Sequence, residues 1–378
     1  METLVDRIAS ARAVDTTTIA KSSPSKSSDH RSGGSATRDH ADPVASGTGP
    51  GNSLTIAVDA MGGDRAPEVP VAGALAVLSE LPERIRIALV GEPGRIEAVL
   101  PLAARPRIEI VAATELIEME EAPALAVRRK RDSSIVVGLQ LVRSGMADAF
   151  ISAGSTGAVM AASVLELGAL PGVGRPAVGA MFPTTTGPTL VLDVGANVDT
   201  KAHHLHQFAR LGSVYVRDLR GLERPRVGLL NVGEEAEKGG DAVAEAYSLL
   251  EGDPEIEFVG NVEGHRIIEG ACDVLVSDGF AGNVLLKFYE SMAAFVVGLL
   301  QRPTRRFRRG GRVGQIVRVL DYAEYGGAPL LGVQGVSIIC HGGSPPRAIK
   351  NAIRVAVQSV ESGMVQDMAA ALDDPGDG

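Results

Sequence analysis

The stretch Leu192–Gly212, LDVGANVDTKAHHLHQFARLG, opens like a buried strand and closes like a helix, with a glycine- and asparagine-bearing turn and then a lysine between them. That passage is the strand-turn-helix unit of a parallel α/β sheet, and it recurs along the chain. The apolar runs TIAVDA, RIALVG, IEIVAA, DAFISAG, LVLDVG, VGLLNVG, EFVGN, DVLVSDG and VSIICHGG alternate with segments of helical period and length, such as GAVMAASVLELG. Continuous Val/Ile/Leu/Ala runs are what strands buried on both faces require. The expected fold is therefore a wound, mostly parallel α/β sheet covered by helices on both faces, in a single catalytic domain over residues 53–372. No linker rich in Pro, Gly or Ser divides that span, and no repeat of fixed period marks it.

Composition narrows the class. The 378 residues are 45% apolar, with 45 glycines and no tryptophan, which suits tight strand-to-helix turns and close helix-on-sheet packing. Cys272 and Cys340 sit in apolar runs and read as core residues of a reducing, cytoplasmic compartment rather than as a redox or metal pair. A net charge of −9 argues against nucleic acid as a partner. Residues 1–52 are rich in Ser, Thr, Ala, Gly and Asp, lack a long apolar run, and read as a disordered extension rather than a secretory signal. No run of about 20 apolar residues occurs, so no transmembrane helix is expected. Within residues 285–312, however, the apolar stretch Met292–Leu300 runs into Arg302, Arg305, Arg306, Arg308, Arg309 and Arg312. A short apolar helix beside a basic cluster fits contact with an anionic membrane, a packed or dimer-interface helix with a solvated basic loop, or docking of an acidic protein.

In open α/β sheets ligands bind beyond the carboxyl ends of strands. Those positions hold Asp59, Gly62, Gly63 and Asp64 in AVDAMGGD, and Gly154, Ser155, Thr156 and Gly157 in ISAGSTGA. Asp193, Asn197 and Lys201 follow in the opening stretch, then Asn231, Glu234, Glu235 and Lys238 in LLNVGEEAEKG. Asp278, Gly279, Asn283 and Lys287 occupy VSDGFAGNVLLK. The chain has only seven lysines, yet three of them follow such a turn within a few residues. Glycine turns let backbone N–H groups face a ligand at a helix N-terminus, and hydroxyls and ammonium groups add to the attraction, so phosphate fits the pattern. Neither G-x-x-x-x-G-K-[ST] nor G-x-G-x-x-G follows a strand, which disfavours the nucleotide sites of those two kinds. His203 and His206 share a helix face, but no second cluster has matching spacing, so no metal is expected. They read as first-turn helix residues, partly solvent-facing, with His204 the candidate donor near a ligand.

These motifs, with GNVEG and YAEYGGAPLLGV, resemble in order the set found in bacterial phosphate acyltransferases, the PlsX-type acyl-ACP:phosphate acyltransferases, from about Leu54 to about Glu361. The resemblance implies transfer of a fatty acyl group from acyl carrier protein to inorganic phosphate, giving acyl phosphate for phospholipid synthesis, without a cofactor. It implies a three-layer α/β/α fold similar to the isocitrate and isopropylmalate dehydrogenases and to phosphotransacetylases. A homodimer in peripheral contact with an anionic membrane is implied too, with a downstream glycerol-3-phosphate acyltransferase as a further partner. Lys201, Asn197, His204 and Asn231 are the catalytic candidates, and Asp59, Gly62, Gly63, Asp64, Gly154, Ser155, Thr156, Gly157, Lys238, Asp278, Gly279, Asn283 and Lys287 are the candidates to bind substrate or phosphate. A metal- and nicotinamide-dependent dehydrogenase would need an aspartate cluster and an adenine-binding loop, which the sequence does not display. A membrane-bound scaffold without catalysis would have no use for so many polar strand-end residues.

Overall fold

The computed structural model describes residues 53–301 and 321–372. The extension 1–52 and the arginine cluster 302–312 therefore lie outside the described residues. All nine apolar runs form strands: β1 (Leu54–Asp59), β2 (Ile85–Gly91), β3 (Ile108–Ala112), β4 (Ala149–Ser152), β6 (Gly187–Leu192), β7 (Arg226–Asn231), β8 (Glu257–Glu263), β9 (Val274–Val276) and β11 (Val336–Ile339). Two strands that the runs did not reveal, β5 (Ala177–Thr184) and β10 (Ala328–Leu331), complete an eleven-stranded sheet of order β3-β2-β1-β4-β11-β10-β5-β6-β9-β7-β8.

The helices are α1 (Glu68–Leu78), α2 (Pro93–Val99), α3 (Pro123–Arg129), α4 (Ser134–Arg143), α5 (Thr156–Glu166), α6 (Ala202–Arg220), α7 (Asp241–Glu251), α8 (Gly279–Gln301), α9 (Pro346–Glu361) and α10 (Met364–Leu372). Alternation along each strand divides the interior into two cores, as a sheet's period of two requires. Ile56, Val58, Ile87 and Leu89 pack on one side with Val71, Ile96, Phe208, Ala246, Ile353 and Met368, from α1, α2, α6, α7, α9 and α10. Ala57, Ala88 and Val90 face the other side, against Ala126, Val136, Leu139, Ala158 and Leu285 from α3, α4, α5 and α8. The architecture is thus three-layer α/β/α with a mostly parallel sheet.

Strand direction decides where the chemistry goes. Within β3-β2-β1-β4-β11 every pairing is parallel, and so is every pairing within β6-β9-β7-β8. The two missed strands sit between these blocks, and β11/β10, β10/β5 and β5/β6 are all antiparallel. Three reversals make the second block run against the first. The carboxyl ends of β1 and β4 therefore lie at one edge of the sheet, and those of β6, β9 and β7 at the opposite edge. Reading the strand ends as one continuous series is corrected by this reversal.

Helix α8 is 23 residues long, and one face of its first half packs inward, with Tyr289 5.0 Å from Phe182 between ring centroids. By length and composition alone it could cross a membrane, contrary to the expectation of no such helix, and only 6% of its most apolar window is buried. Its first turn, however, is fastened to the sheet, and Lys287 and Glu290 pair across its middle at 2.8 Å.

Candidate active site

At the edge formed by β6, β9 and β7, the opening turn is organised around Asp193. This fully buried carboxylate accepts N–H bonds from Val178 (3.1 Å), Gly195 (3.1 Å), Ala196 (3.0 Å) and Asn197 (2.7 Å), and a further one from Asn197 Nδ2 (3.0 Å). Burial pushes its pKa up, and the hydrogen bonds oppose that shift. Asn197 also donates to the Pro176 carbonyl (2.8 Å), while its own carbonyl accepts the Gly279 N–H (2.8 Å). Its side chain thus ties the turn to the segment before β5, and its main-chain carbonyl ties it to the start of α8. Asp278 caps that helix, its Oδ1 accepting from Ala281 N at 2.8 Å. Asn283, one turn on, lies exposed beside Gly195.

Lys201 stands exposed at the N-terminus of α6, where the helix dipole and its orphan amides favour an anion. Its N–H donates to His204 Nδ1 at 3.1 Å, so the neutral ring carries its proton on Nε2. His204 is buried, in contrast to the partly solvent-facing position expected. Burial first, then the charges of His203, Arg175 and Lys201, lower its pKa from 6.5. Because the folded-state pKa is depressed, the neutral ring persists through neutral pH. The Lys201-to-His204 bond and the stability it contributes are lost only as pH falls below the unfolded value of about 6.5 and through the folded one. Nitrogen-detected NMR of the His204 ring should show Nδ1 unprotonated at pH 6.5; a protonated Nδ1 there would remove this bond from the site. His206 is committed elsewhere, to Asp253 Oδ2 at 2.7 Å, and His203 is exposed. Among the described residues no group of three His, Cys, Asp or Glu side chains is arranged to hold a metal.

Asn231 and Lys238 belong to the same edge, at the end of β7, where Asn231 Nδ2 donates to the Lys238 carbonyl at 2.9 Å and the lysine side chain is exposed. Lys287 does not join them: it lies two turns into α8 and pairs with Glu290.

The opposite edge holds a second polar group. Asp59, 1% exposed, accepts from Met61 N (3.0 Å) and Ser152 Oγ (2.7 Å), and Ser152 Oγ in turn accepts from Gly154 N (3.0 Å). Burial pushes the Asp59 pKa up, against the hydrogen bonds from Ser152 and Ser134. A Cβ on Gly62 would lie 2.5 Å from Asp59 Oδ2, so only glycine lets this turn close. Asp64 is exposed and its N–H donates to the Gly342 carbonyl at 3.0 Å; Ser155, Thr156 and Gly157 open α5.

The two edges are built alike. SAGSTG (residues 152–157) and SDGFAG (residues 277–282) occupy the turns from β4 to α5 and from β9 to α8. Each serine braces the aspartate ending the neighbouring strand: Ser152 through the Asp59 carboxylate, Ser277 through the Asp193 carbonyl at 3.0 Å. Both serines sit inside the motifs ISAGSTGA and VSDGFAGNVLLK, but a serine ending an apolar run carries no local sign of its cross-strand partner. Arg175, which donates to the Asp199 carbonyl at 3.0 Å, was likewise silent.

Neither thiol belongs to either site. Cys272 and Cys340 are buried, and burial pushes both pKa values up to about 12, which suppresses the nucleophilic thiolate. A Cys272→Ser/Cys340→Ser variant that folds should keep wild-type turnover, and intact-mass measurement of enzyme with acyl donor alone should show no acylated protein; a stoichiometric adduct would exclude direct transfer.

The layers, strand order and glycine turns define a fold shared with phosphotransacylases. A phosphotransacetylase from Streptococcus pyogenes superposes with a TM-score of 0.55 at 15% identity, covering 82% of this chain and 94% of that one. A branched-chain phosphotransacylase from Enterococcus faecalis V583 gives 0.54 at 15% identity, over 81% and 99%. A 4-hydroxythreonine-4-phosphate dehydrogenase from Klebsiella pneumoniae gives 0.50 at 12% identity, over 82% and 98%. At such identities the likeness concerns the fold alone, and likeness to the isocitrate and isopropylmalate dehydrogenases stands as an expectation. Sequence kinship is much closer. The profile of the family described as "Fatty acid synthesis protein" matches residues 54–367. The phosphate acyltransferase of Heliobacterium modesticaldum is 49% identical over 324 residues, 82% of this chain and 96% of that protein. That of Moorella thermoacetica is 49% identical over 322 residues, 82% and 94%. The chain belongs to the phosphate acyltransferase family, transferases of fatty acid and lipid synthesis.

Proposed function

We propose that the protein transfers a fatty acyl group from the thioester of acyl carrier protein to inorganic phosphate, releasing acyl phosphate for phospholipid synthesis, at the turn Asp193–Lys201. The observation that carries this reading is an exposed ammonium, Lys201, at the amide-rich N-terminus of α6 beside a neutral imidazole, His204. An oxygen of the phosphate dianion attacks the thioester carbonyl. The C–O bond forms, a tetrahedral oxyanion develops, and the C–S bond breaks with its electron pair leaving on sulfur. Phosphate needs positioning and charge neutralisation rather than a strong base, and that is the part given to Lys201. Backbone amides of the turn stabilise the oxyanion. The departing thiol has a pKa of about 8.5, so protonation by solvent, with a hydrogen bond from the neutral His204 Nε2–H, assists without being obligatory. No protein nucleophile is required. Asn197 and Asn231 shape the turns, and the Asp59 and Ser155–Gly157 group at the other edge supplies a second polar site for substrate. Acyl-ACP incubated with the enzyme should release the free carrier thiol and form acyl phosphate, followed by phosphorus NMR, only when phosphate is present, and the yield should survive exhaustive EDTA treatment. Free fatty acid as the sole product would overturn the assignment.

The protein works as a homodimer in the cytoplasm, in peripheral contact with anionic membrane and the downstream glycerol-3-phosphate acyltransferase. What supports the membrane contact is the outer face of α8, where Val284, Phe288, Met292, Phe295 and Leu299 recur at helical spacing and are 41–63% exposed. Sedimentation with anionic liposomes tests it; absence of the protein from the lipid fraction would remove membrane contact from this reading.

A further inference from the structure

The arginines at 302–312 are not the only basic feature of this acidic chain. On the layer formed by α3, α4 and α5, the carboxyl ends of the three helices converge on Glu166. Arg131 reaches its carboxylate at 2.5 Å and Arg143 at 3.7 Å, while the glutamate side chain is 2% exposed and the arginines are 48% and 66% exposed. The buried carboxylate is thereby more than neutralised, and both guanidinium groups are held at the surface. Arg128 and Arg129, in the last turn of α3, are exposed and pair with no carboxylate among the described residues. Beside them Leu125, Val164 and Leu165 are 48%, 45% and 47% exposed. Two arginines held by one buried glutamate, two unpaired ones at the end of α3 and the apolar side chains make a face suited to an acidic protein that also presents an apolar contact.

Its position relates it to the turn at Asp193. Helices α4 and α5 run against β4, so their carboxyl ends lie at the edge where β4 begins. Because the second block is reversed, β6 ends at that same edge. From β4 to β6 the sheet crosses β11, β10 and β5, four strand spacings or about 19 Å. The chain itself follows that path. After α5 it pairs Ala169 with Val333, donates Leu170 N–H to the Gly332 carbonyl, and ends at Pro176, whose carbonyl accepts from Asn197. A flexible acyl-bearing arm as long as about six extended residues spans that width of the sheet, and a longer one passes beyond its edge to Lys201 at the start of α6 on the other face.

Resting on the proposed acyl-carrier reaction, we infer that the acidic carrier protein docks on the α3–α5 face at Arg128, Arg129, Arg131 and Arg143 and sends its arm along this edge to Lys201. The test is the full-length Arg128→Glu/Arg129→Glu variant, which leaves the Glu166 pairs intact. Long-chain acyl-ACP and the same acyl group on pantetheine serve as alternative donors to phosphate. The Michaelis constant for acyl-ACP should rise about tenfold or more, while kcat/KM for acyl-pantetheine holds within about twofold. Added salt should raise the wild-type constant toward the variant's. Should charge reversal prevent folding, Arg128→Gln/Arg129→Gln should show the same selectivity in smaller measure. An unchanged acyl-ACP constant, an equal loss with both donors, or a change of oligomeric size marking the face as a subunit interface would each overturn the docking site. So would the rise appearing instead on replacing Arg305, Arg306, Arg308 and Arg309 with Glu. Failure of the underlying reaction is distinguishable, since the wild-type enzyme would then give no acyl phosphate from either donor.

Discussion

Lys201→Ala should lower kcat/KM for phosphate on the order of 10²-fold or more while leaving the thermal midpoint close to wild type. The two halves of this expectation come from different facts. The side chain is exposed and makes no hydrogen bond or ion pair among the described residues, so the folded state loses little. The Lys201 bond to His204 is made by the main-chain N–H and survives truncation. What disappears is a positive charge at the amino end of α6, where the incoming dianion and the developing oxyanion gain most from it. Lys287→Ala is the internal comparison. That lysine belongs to the same sequence pattern, but it pairs with Glu290 two turns along α8, and its loss should change phosphate kinetics less than about twofold. Near-wild-type kinetics in Lys201→Ala would move phosphate away from this turn, and the Ser155–Gly157 turn at the opposite edge would become the place to look.

Much of the fold was legible because burial on both faces writes itself into sequence as continuous apolar runs, and every run that was read became a strand. The misses have a common cause. β5, AVGAMFPT, carries Gly179 and Pro183, and β10, APLL, is four residues long with Pro329 inside it. Glycine and proline are turn signals in a strand pattern, and here they sit in the antiparallel seam between the two blocks. Missing the seam meant missing the reversal, and with it the separation of Asp59 and Ser155 from Asp193 and Lys201. Direction within a sheet is set by pairing between distant segments, to which local periodicity is blind. The site followed the same rule. Asp193 and Asn197 were marked by their position after a strand, yet their use as a clamp between β5, the turn and α8 depends on Val178, Pro176 and Gly279, distant in sequence or on unpredicted elements. The burial of His204 was hidden because it comes from packing against the segment at Gly174.

Two glycines of one helix should respond in opposite ways to alanine. Gly282, in the first turn of α8, lies so near the opening turn that a Cβ would sit 1.9 Å from the Asp193 carbonyl oxygen and 2.7 Å from Ser277 Oγ. The obstacle is main chain, held on one side by the Asp193 hydrogen bonds and on the other by the bond from the Gly279 N–H to the Asn197 carbonyl, so neither partner can turn aside as a flexible side chain would. Gly282→Ala must push α8 off the turn. The expected cost is at the upper end of about 1–3 kcal/mol or beyond, with turnover falling further because the displaced turn carries Lys201. Gly298, near the far end of the same helix, has open space where its Cβ would go. Gly298→Ala should stabilise by about 0.5–1 kcal/mol through helix propensity alone and leave turnover unchanged. Thermal denaturation of both variants alongside acyl phosphate assays decides the matter. A Gly282→Ala enzyme as stable and active as wild type would mean that α8 and the Asp193 turn do not meet, and the clamp at the centre of this site would have to be abandoned.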